Sequence, residues 1–258
     1  MTAIVAITRR PGPEMAEAAE LTHMARQPID MTHADAQHAA YRAALAAAGL
    51  AVTDLPPLDG HADAAFVEDV ALLFPELVVV TRPGAVSRQA EVAALAPHLP
   101  ADRPRAVIAA PATIDGGDVL VIGRDVFVGL SSRTNRDAVA QLTALLAMHG
   151  YRLTAVAVPG ALHLKTAATA LADDLVLLNP AWVSADAFGR RWLAVDPAEP
   201  FGANTLHAGG QIFHAAASPR TRARIAAQGL AVTPLEIGEF AKAEAGLTCL
   251  SLLVPPAA

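Results

Sequence analysis

Ala48-Gly-Leu-Ala-Val-Thr53, His149-Gly-Tyr-Arg-Leu-Thr154 and Gln228-Gly-Leu-Ala-Val-Thr233 are three copies of one junction. In each, a helical pattern ends on glycine and passes directly into a strand-forming run. Glycine suits the left-handed position that closes a helix, and Pro56, Pro159 and Pro234 follow within a few residues. A single copy describes any αβ unit. Three copies, two sharing Gly-Leu-Ala-Val-Thr, predict a fold built from repeated strand–helix–strand modules. No Pro- or Ser-rich linker divides the chain, so residues 1–258 are expected to form one domain.

Working outward, Ile4–Thr8 reads as a strand, and a helix starts near Thr32, with Asp35 enriching its first turn, and runs to Gly49. Strands are expected at Leu50–Leu55, Ala64–Leu73, Leu77–Thr81, Ala106–Ala109, Val119–Ile122 and Val126–Gly129. Helices are expected at Arg88–His98, Asn135–His149 and Pro219–Gln228, with a last strand at Thr248–Val254.

The composition, 53% hydrophobic and 17% charged, is that of a well-packed globular protein. A net charge of -6 argues against nucleic acid or anionic membrane as partner, since both reward a basic surface. The N-terminus lacks the pattern of a secretion signal, and no apolar run is long enough to span a bilayer. A soluble, cytoplasmic protein is expected. Alanine-rich helix faces serve cores and interfaces alike, which leaves a homodimer open.

Cys249 is the single cysteine, in Gly246-Leu-Thr-Cys-Leu-Ser-Leu-Leu-Val254. It excludes an internal disulfide and a multi-cysteine metal site, leaving a buried structural thiol or a nucleophile served by a histidine that the fold must deliver. His163, between two leucines after Pro159-Gly160, is the best such partner, although a histidine so placed is more often a core residue. The other histidines show no ligand spacing, so no metal is expected.

Asp115 and Asp118 flank Gly116-Gly117, a tight turn into a strand that matches neither a phosphate loop nor a dinucleotide fingerprint. Glu68 and Asp69 interrupt an otherwise apolar run. With Asp63 they describe either a strand reaching the surface or an acidic pocket for a cation. Arg88 and Arg133, each near a helix start, have the planar fork that suits a carboxylate, or are ordinary surface arginines. A pocket with these acids and arginines would fit a zwitterion with a cationic tail.

Read together, Phe66-Val-Glu-Asp69, Thr81-Arg-Pro-Gly-Ala85 with Ser87-Arg88, Asp115-Gly-Gly-Asp118, Ser132-Arg-Thr-Asn135, Leu162-His-Leu-Lys-Thr166 and Leu247-Thr-Cys-Leu-Ser251 resemble the dimethylarginine dimethylaminohydrolases, within the guanidino-group-modifying superfamily. The pieces stand in family order across nearly the whole chain. The resemblance implies an α/β fold, a five-bladed propeller of ββαβ modules, and hydrolysis of methylated arginines without cofactor. It makes Cys249 the nucleophile, His163 the general acid and base, and Asp115 the acid that orients it. Asp63, Glu68 and Asp69 match residues around the guanidinium and the amino end of the substrate, and Arg88 and Arg133 match carboxylate-binding arginines. Leu21 falls at a lid position, and Glu244 at a contact to the substrate amine. Asp115 stands where some bacterial relatives carry glutamate, one methylene longer, and Glu244 where relatives tend to carry aspartate. An arginine deiminase, an amidinotransferase and a non-catalytic binder of arginine derivatives are the alternatives.

Overall fold

The computed structural model describes residues 4–258. It contains five three-stranded sheets, and one connection rule builds all of them. In four, the first strand turns back antiparallel to the second, the chain crosses over through a helical segment, and the third strand returns parallel to the second. These are Ala71–Leu73, Val78–Val80 and Arg105–Val107; then Val119–Ile122, Asp125–Leu130 and Arg152–Ala157; then Ala168–Ala172, Leu175–Leu178 and Arg191–Ala194; then Thr205–Ala208, Gln211–Ala215 and Val232–Leu235. The fifth obeys the same rule across the chain ends. Val5–Arg9 pairs parallel with Ala51–Leu55 and antiparallel with the last strand, Leu252–Val254. The expected ββαβ repeat is therefore present, and the strand that follows Cys249 closes the ring.

The junction glycines do what their residue type allows. Gly49, Gly150 and Gly229 have φ of 88°, 75° and 80°. At the first two, the following amide reaches back to the last helical turn, Leu50 to the Leu45 carbonyl at 3.1 Å and Tyr151 to that of Leu146 at 3.3 Å. This closes helices Met31–Ala47 and Arg136–Ala147 with the paired bonds of a Schellman motif. The starts are capped as well. Asp30 accepts from the Thr32 and His33 amides, and Asn135 from the Ala138 amide. Asp30, not Asp35, thus supplies the acid at the first helix start.

Two expected strands shrink, for one reason. In Ala64–Leu73 only Ala71–Leu73 is strand, because Val67–Val70 forms a 3-10 turn. In Thr248–Val254 only Leu252–Val254 is strand, because Thr248–Leu250 forms another. Both turns hold polar groups that need partners outside a sheet ladder. The segment Arg88–His98 is helical in three pieces, Val86–Ala90, Glu91–Leu95 and Ala96–His98, with Pro97 preventing a continuous helix.

The middle strands are the most buried elements: Val78, Val79, Val176, Leu177 and Leu178 are fully covered. Apolar clusters lie between neighbouring modules, one of them joining Ile7, Leu55, Val67, Val80 and Leu252. Each sheet is thereby fixed relative to the next, which positions whatever the turns at their ends carry.

Candidate active site

Five turns that carry polar side chains occupy equivalent places in successive modules. Each precedes the first strand of a sheet: Glu68 and Asp69 before Ala71, Asp115 and Asp118 before Val119, His163 before Ala168, Asn204 before Thr205, and Cys249 before Leu252. A repeated module with an approximate central axis brings these turns to one end. Residues 48 apart in sequence thus come into hydrogen-bonding contact, as in His163 with Asp115 and Gly117 with Asp69.

His163 Nε2 and Asp115 Oδ2 lie 3.0 Å apart, both atoms buried. The other Asp115 oxygen accepts the Gly84 amide at 2.8 Å, which fixes the carboxylate plane. Asp69 accepts the Gly117 amide at 2.8 Å on one oxygen and Arg88 Nη1 at 2.5 Å on the other. Gly117 is required by proximity: a Cβ there would stand 2.5 Å from His163 Nδ1 and 3.0 Å from Asp69 Oδ1. Asp118 completes the mount, accepting the Leu164 amide at 2.9 Å and the Ser131 hydroxyl at 2.6 Å.

Cys249 sits in a turn held from three sides. The Thr248 amide donates to Asn204 Oδ1 at 3.2 Å, and its hydroxyl donates to Glu68 Oε2 at 2.8 Å. Tyr41, from the long first helix, donates to the Leu247 carbonyl at 3.0 Å. The Gly246 amide points at the sulfur, 3.4 Å away. Cys249, His163, Asp115, Asp69, Arg88 and Arg133 line a single cavity.

The electrostatics give the resting protonation state. Burial by itself would depress the His163 pKa, but the Asp69 charge, the Asp115 hydrogen bond and Asp118 outweigh it and push the imidazole up to about 9. Burial would likewise raise Asp69, yet His163, Arg88 and the Gly117 amide hold it below the usual carboxylate value. Burial first, then the Glu68 and Asp69 charges, push the Cys249 thiol well up. The unliganded site therefore holds a thiol beside an imidazolium and ionised Asp69. Alkylation of Cys249 by iodoacetamide is expected to be slow at pH 7 and to rise about tenfold per pH unit to pH 9 without a plateau, since the thiolate fraction grows in that proportion below the thiol pKa. Mass-spectrometric labelling rates read this directly; a plateau near neutral pH would contradict it.

Not every expected residue reaches the cavity. Glu68, one position before Asp69 on the same turn, faces the other way. It binds Lys165 Nζ at 2.5 Å and lines, with Lys165, a separate cavity of about 170 Å³. Leu21 is half-buried and outside the lining, and Glu244 lines the cavity with both oxygens occupied by the amides of Thr22, His23 and Met24. Asp63 lines the cavity and accepts the Glu20 amide at 3.1 Å; burial raises its pKa to about 6, against the pull of Arg88.

The two arginines differ. Arg88 is almost wholly engaged by the protein: Nε and Nη2 on Glu91, Nη2 also on the Asp63 and Phe66 carbonyls, Nη1 on Asp69. One Nη1 hydrogen remains for the cavity. Arg133 turns its fork outward to Glu20 and Thr22.

Several partners were not foreseen. Glu91, Lys165 and Asn204 serve the site through Arg88, Glu68 and Thr248, and carried no local signal beyond ordinary charge or polarity. Glu20 lay beside Leu21 in the expected lid. Among the described residues, the one group of His, Cys, Asp and Glu close enough to share a metal is Asp69, Asp115 and His163. Arg88 and the amides of Gly84 and Gly117 already hold its carboxylates. No helix among the described residues is long and apolar enough to cross a membrane.

The chain is similar to several known proteins. A family model for arginine deiminase matches residues 101–197. The chain is 39% identical over 250 residues to the N(G),N(G)-dimethylarginine dimethylaminohydrolase of Streptomyces coelicolor, covering 96% of this chain and 95% of that one. It is 31% identical to the enzyme of that name from Pseudomonas aeruginosa, covering 95% and 97%. A cysteine-to-serine variant of DDAH from Pseudomonas aeruginosa, complexed with citrulline, superposes with a TM-score of 0.91 at 28% identity over 98% of this chain and 100% of that one. The N-terminal domain of ArgZ, a cyanobacterial arginine dihydrolase, shares the fold at 19% identity, with a TM-score of 0.86 over 99% of each chain. With identity above 30% sustained over nearly the full length of both chains, this chain belongs to the dimethylarginine dimethylaminohydrolase family.

Proposed function

We propose that this chain hydrolyses Nω-methylated arginines, asymmetric dimethylarginine and monomethylarginine, to citrulline and di- or monomethylamine. The carrying observation is the convergence of a buried thiol, an Asp-oriented imidazolium and ionised Asp69 in one cavity with Arg133 at its side. The names of the relatives, and the citrulline bound by one of them, support the same reading.

The chemistry follows from these groups. A guanidinium is resonance-stabilised and a poor electrophile, so it must be held against a strong nucleophile. Asp69 attracts the cation, whose charge beside Cys249 offsets the carboxylates that hold the thiol protonated. With its proton lost to solvent as the cation binds, Cys249 Sγ attacks the guanidinium carbon as thiolate. The His163 imidazolium gives its proton to the departing methylated nitrogen, and the C–N bond breaks to leave a thiouronium on sulfur. Neutral His163 then takes a proton from water as the oxygen attacks the same carbon. The C–S bond breaks as the hydroxyl proton of the adduct passes to sulfur, releasing citrulline and restoring the resting thiol beside the His163 imidazolium. Asp115 holds the imidazole in orientation throughout. Arg133, with the remaining Arg88 hydrogen, receives the substrate carboxylate, and Asp63 faces its ammonium.

The whole chain acts as one catalytic domain on a free small molecule. A lone cysteine working as thiol suits the reducing cytoplasm. Arginine deimination is the second reading, favoured by the arginine deiminase match over the segment containing Asp115 and His163. Citrulline release from dimethylarginine, monomethylarginine and arginine, assayed in parallel, tests both. Turnover of the methylated substrates with little from arginine is expected. Turnover of arginine alone would move the protein to the deiminases.

A further inference from the structure

The cavity at Cys249 has room for only about 20 Å³, roughly one water, far less than an amino acid. Glu20, in the segment around Leu21, is part of its lining and brings a carboxylate to it. Glu20 Oε2 lies 3.1 Å from Arg133 Nη1, its other oxygen accepts the Ser87 hydroxyl, and Thr22 Oγ1 takes Arg133 Nη2 at 3.3 Å. The outward fork of Arg133, a carboxylate-binding position in the reading above, is thus occupied by the protein itself. The far end of the segment is tied independently, through three backbone amides on Glu244.

The geometry points to Glu20 as a built-in competitor for the substrate carboxylate and a determinant of substrate selectivity. This inference rests on the proposed function and deepens it. A ligand carrying an α-carboxylate must displace Glu20 from Arg133 and Ser87, so its apparent affinity is lowered by the fraction of molecules in which Glu20 is seated. A decarboxylated guanidine leaves Glu20 in place, with Arg133 still neutralised. Glu20 therefore narrows the difference between the two ligand classes. Glu20 lines the cavity yet its side chain is about a third exposed, 37%, while that of Arg133 is 10% exposed, as suits a contact that opens to let a ligand in.

Glu20→Gln separates this role from its alternatives. Its KM for dimethylarginine is expected to fall about two- to fivefold, the range of a partly exposed ion pair. For Nω,Nω-dimethylagmatine, which lacks the carboxylate, KM is expected to stay the same or rise. Citrulline binding, followed by calorimetry on the intact protein, should tighten in the same proportion as the dimethylarginine KM falls. A raised KM for dimethylarginine would make Glu20 a contact for the substrate ammonium and overturn the proposal. Equal gains for both substrates would make it a nonspecific lid tie and overturn it too, as would no change for either. If the wild-type protein releases no citrulline from any arginine derivative, the proposed function fails; the calorimetric comparison of Glu20→Gln with wild type still decides the role of Glu20.

Discussion

Cys249→Ser is expected to lower turnover of dimethylarginine at least about a thousandfold, because the serine hydroxyl is far less acidic and less nucleophilic than a thiol. The fold should survive. Serine is nearly isosteric with cysteine, and the turn that carries it is held by Thr248, Asn204, Glu68 and Tyr41 rather than by the sulfur. An unchanged circular-dichroism melt beside lost citrulline formation is the expected pair of results. Retention of most turnover would remove the covalent mechanism, since no other cysteine exists to replace it.

His163→Ala should cost about 10²- to 10⁴-fold in kcat, the usual worth of a positioned acid and base. It should also change the pH profile. In the wild type the imidazole is raised to about 9, so the proton needed by the leaving amine is present below that pH and is lost above it. Because the Cys249 thiol titrates above His163, the kcat/KM of the wild type is expected to climb about tenfold per pH unit and level off near pH 9, where gain of thiolate is offset by loss of imidazolium, and the variant should lack that break. A wild-type profile levelling off instead near pH 6.5 would mean that Asp69 and Asp115 do not hold the proton on His163 as their geometry indicates.

The two predictions depend on residues that could be nominated from sequence to different degrees. Cys249 stood out because it is unique. His163 did not: between leucines it reads as a core residue, and buried it is, yet with its ring nitrogen on Asp115. The acids at 68 and 69 were visible as an interruption in an apolar run, and the interruption proved to be a turn. Which of the two faces the cavity was not visible, because neighbours on a 3-10 turn point in different directions and only their partners, Arg88 and Lys165, decide between them.

The modular architecture was legible in local chemistry. A glycine at a helix end with a strand directly after it is a short-range requirement of backbone geometry, and such requirements are written in adjacent residues. The same holds for the caps at Asp30 and Asn135. The uniqueness of the thiol and the acidic net charge were likewise properties of the chain itself. Tertiary structure alone decided the protonation of His163, the division of labour between Arg88 and Arg133, and the seating of Glu20 on Arg133. Each depends on the distance between charges that lie 19 to 113 residues apart and on their removal from water. Those distances are set by how five sheets pack around a common axis, and no local pattern of residues encodes them.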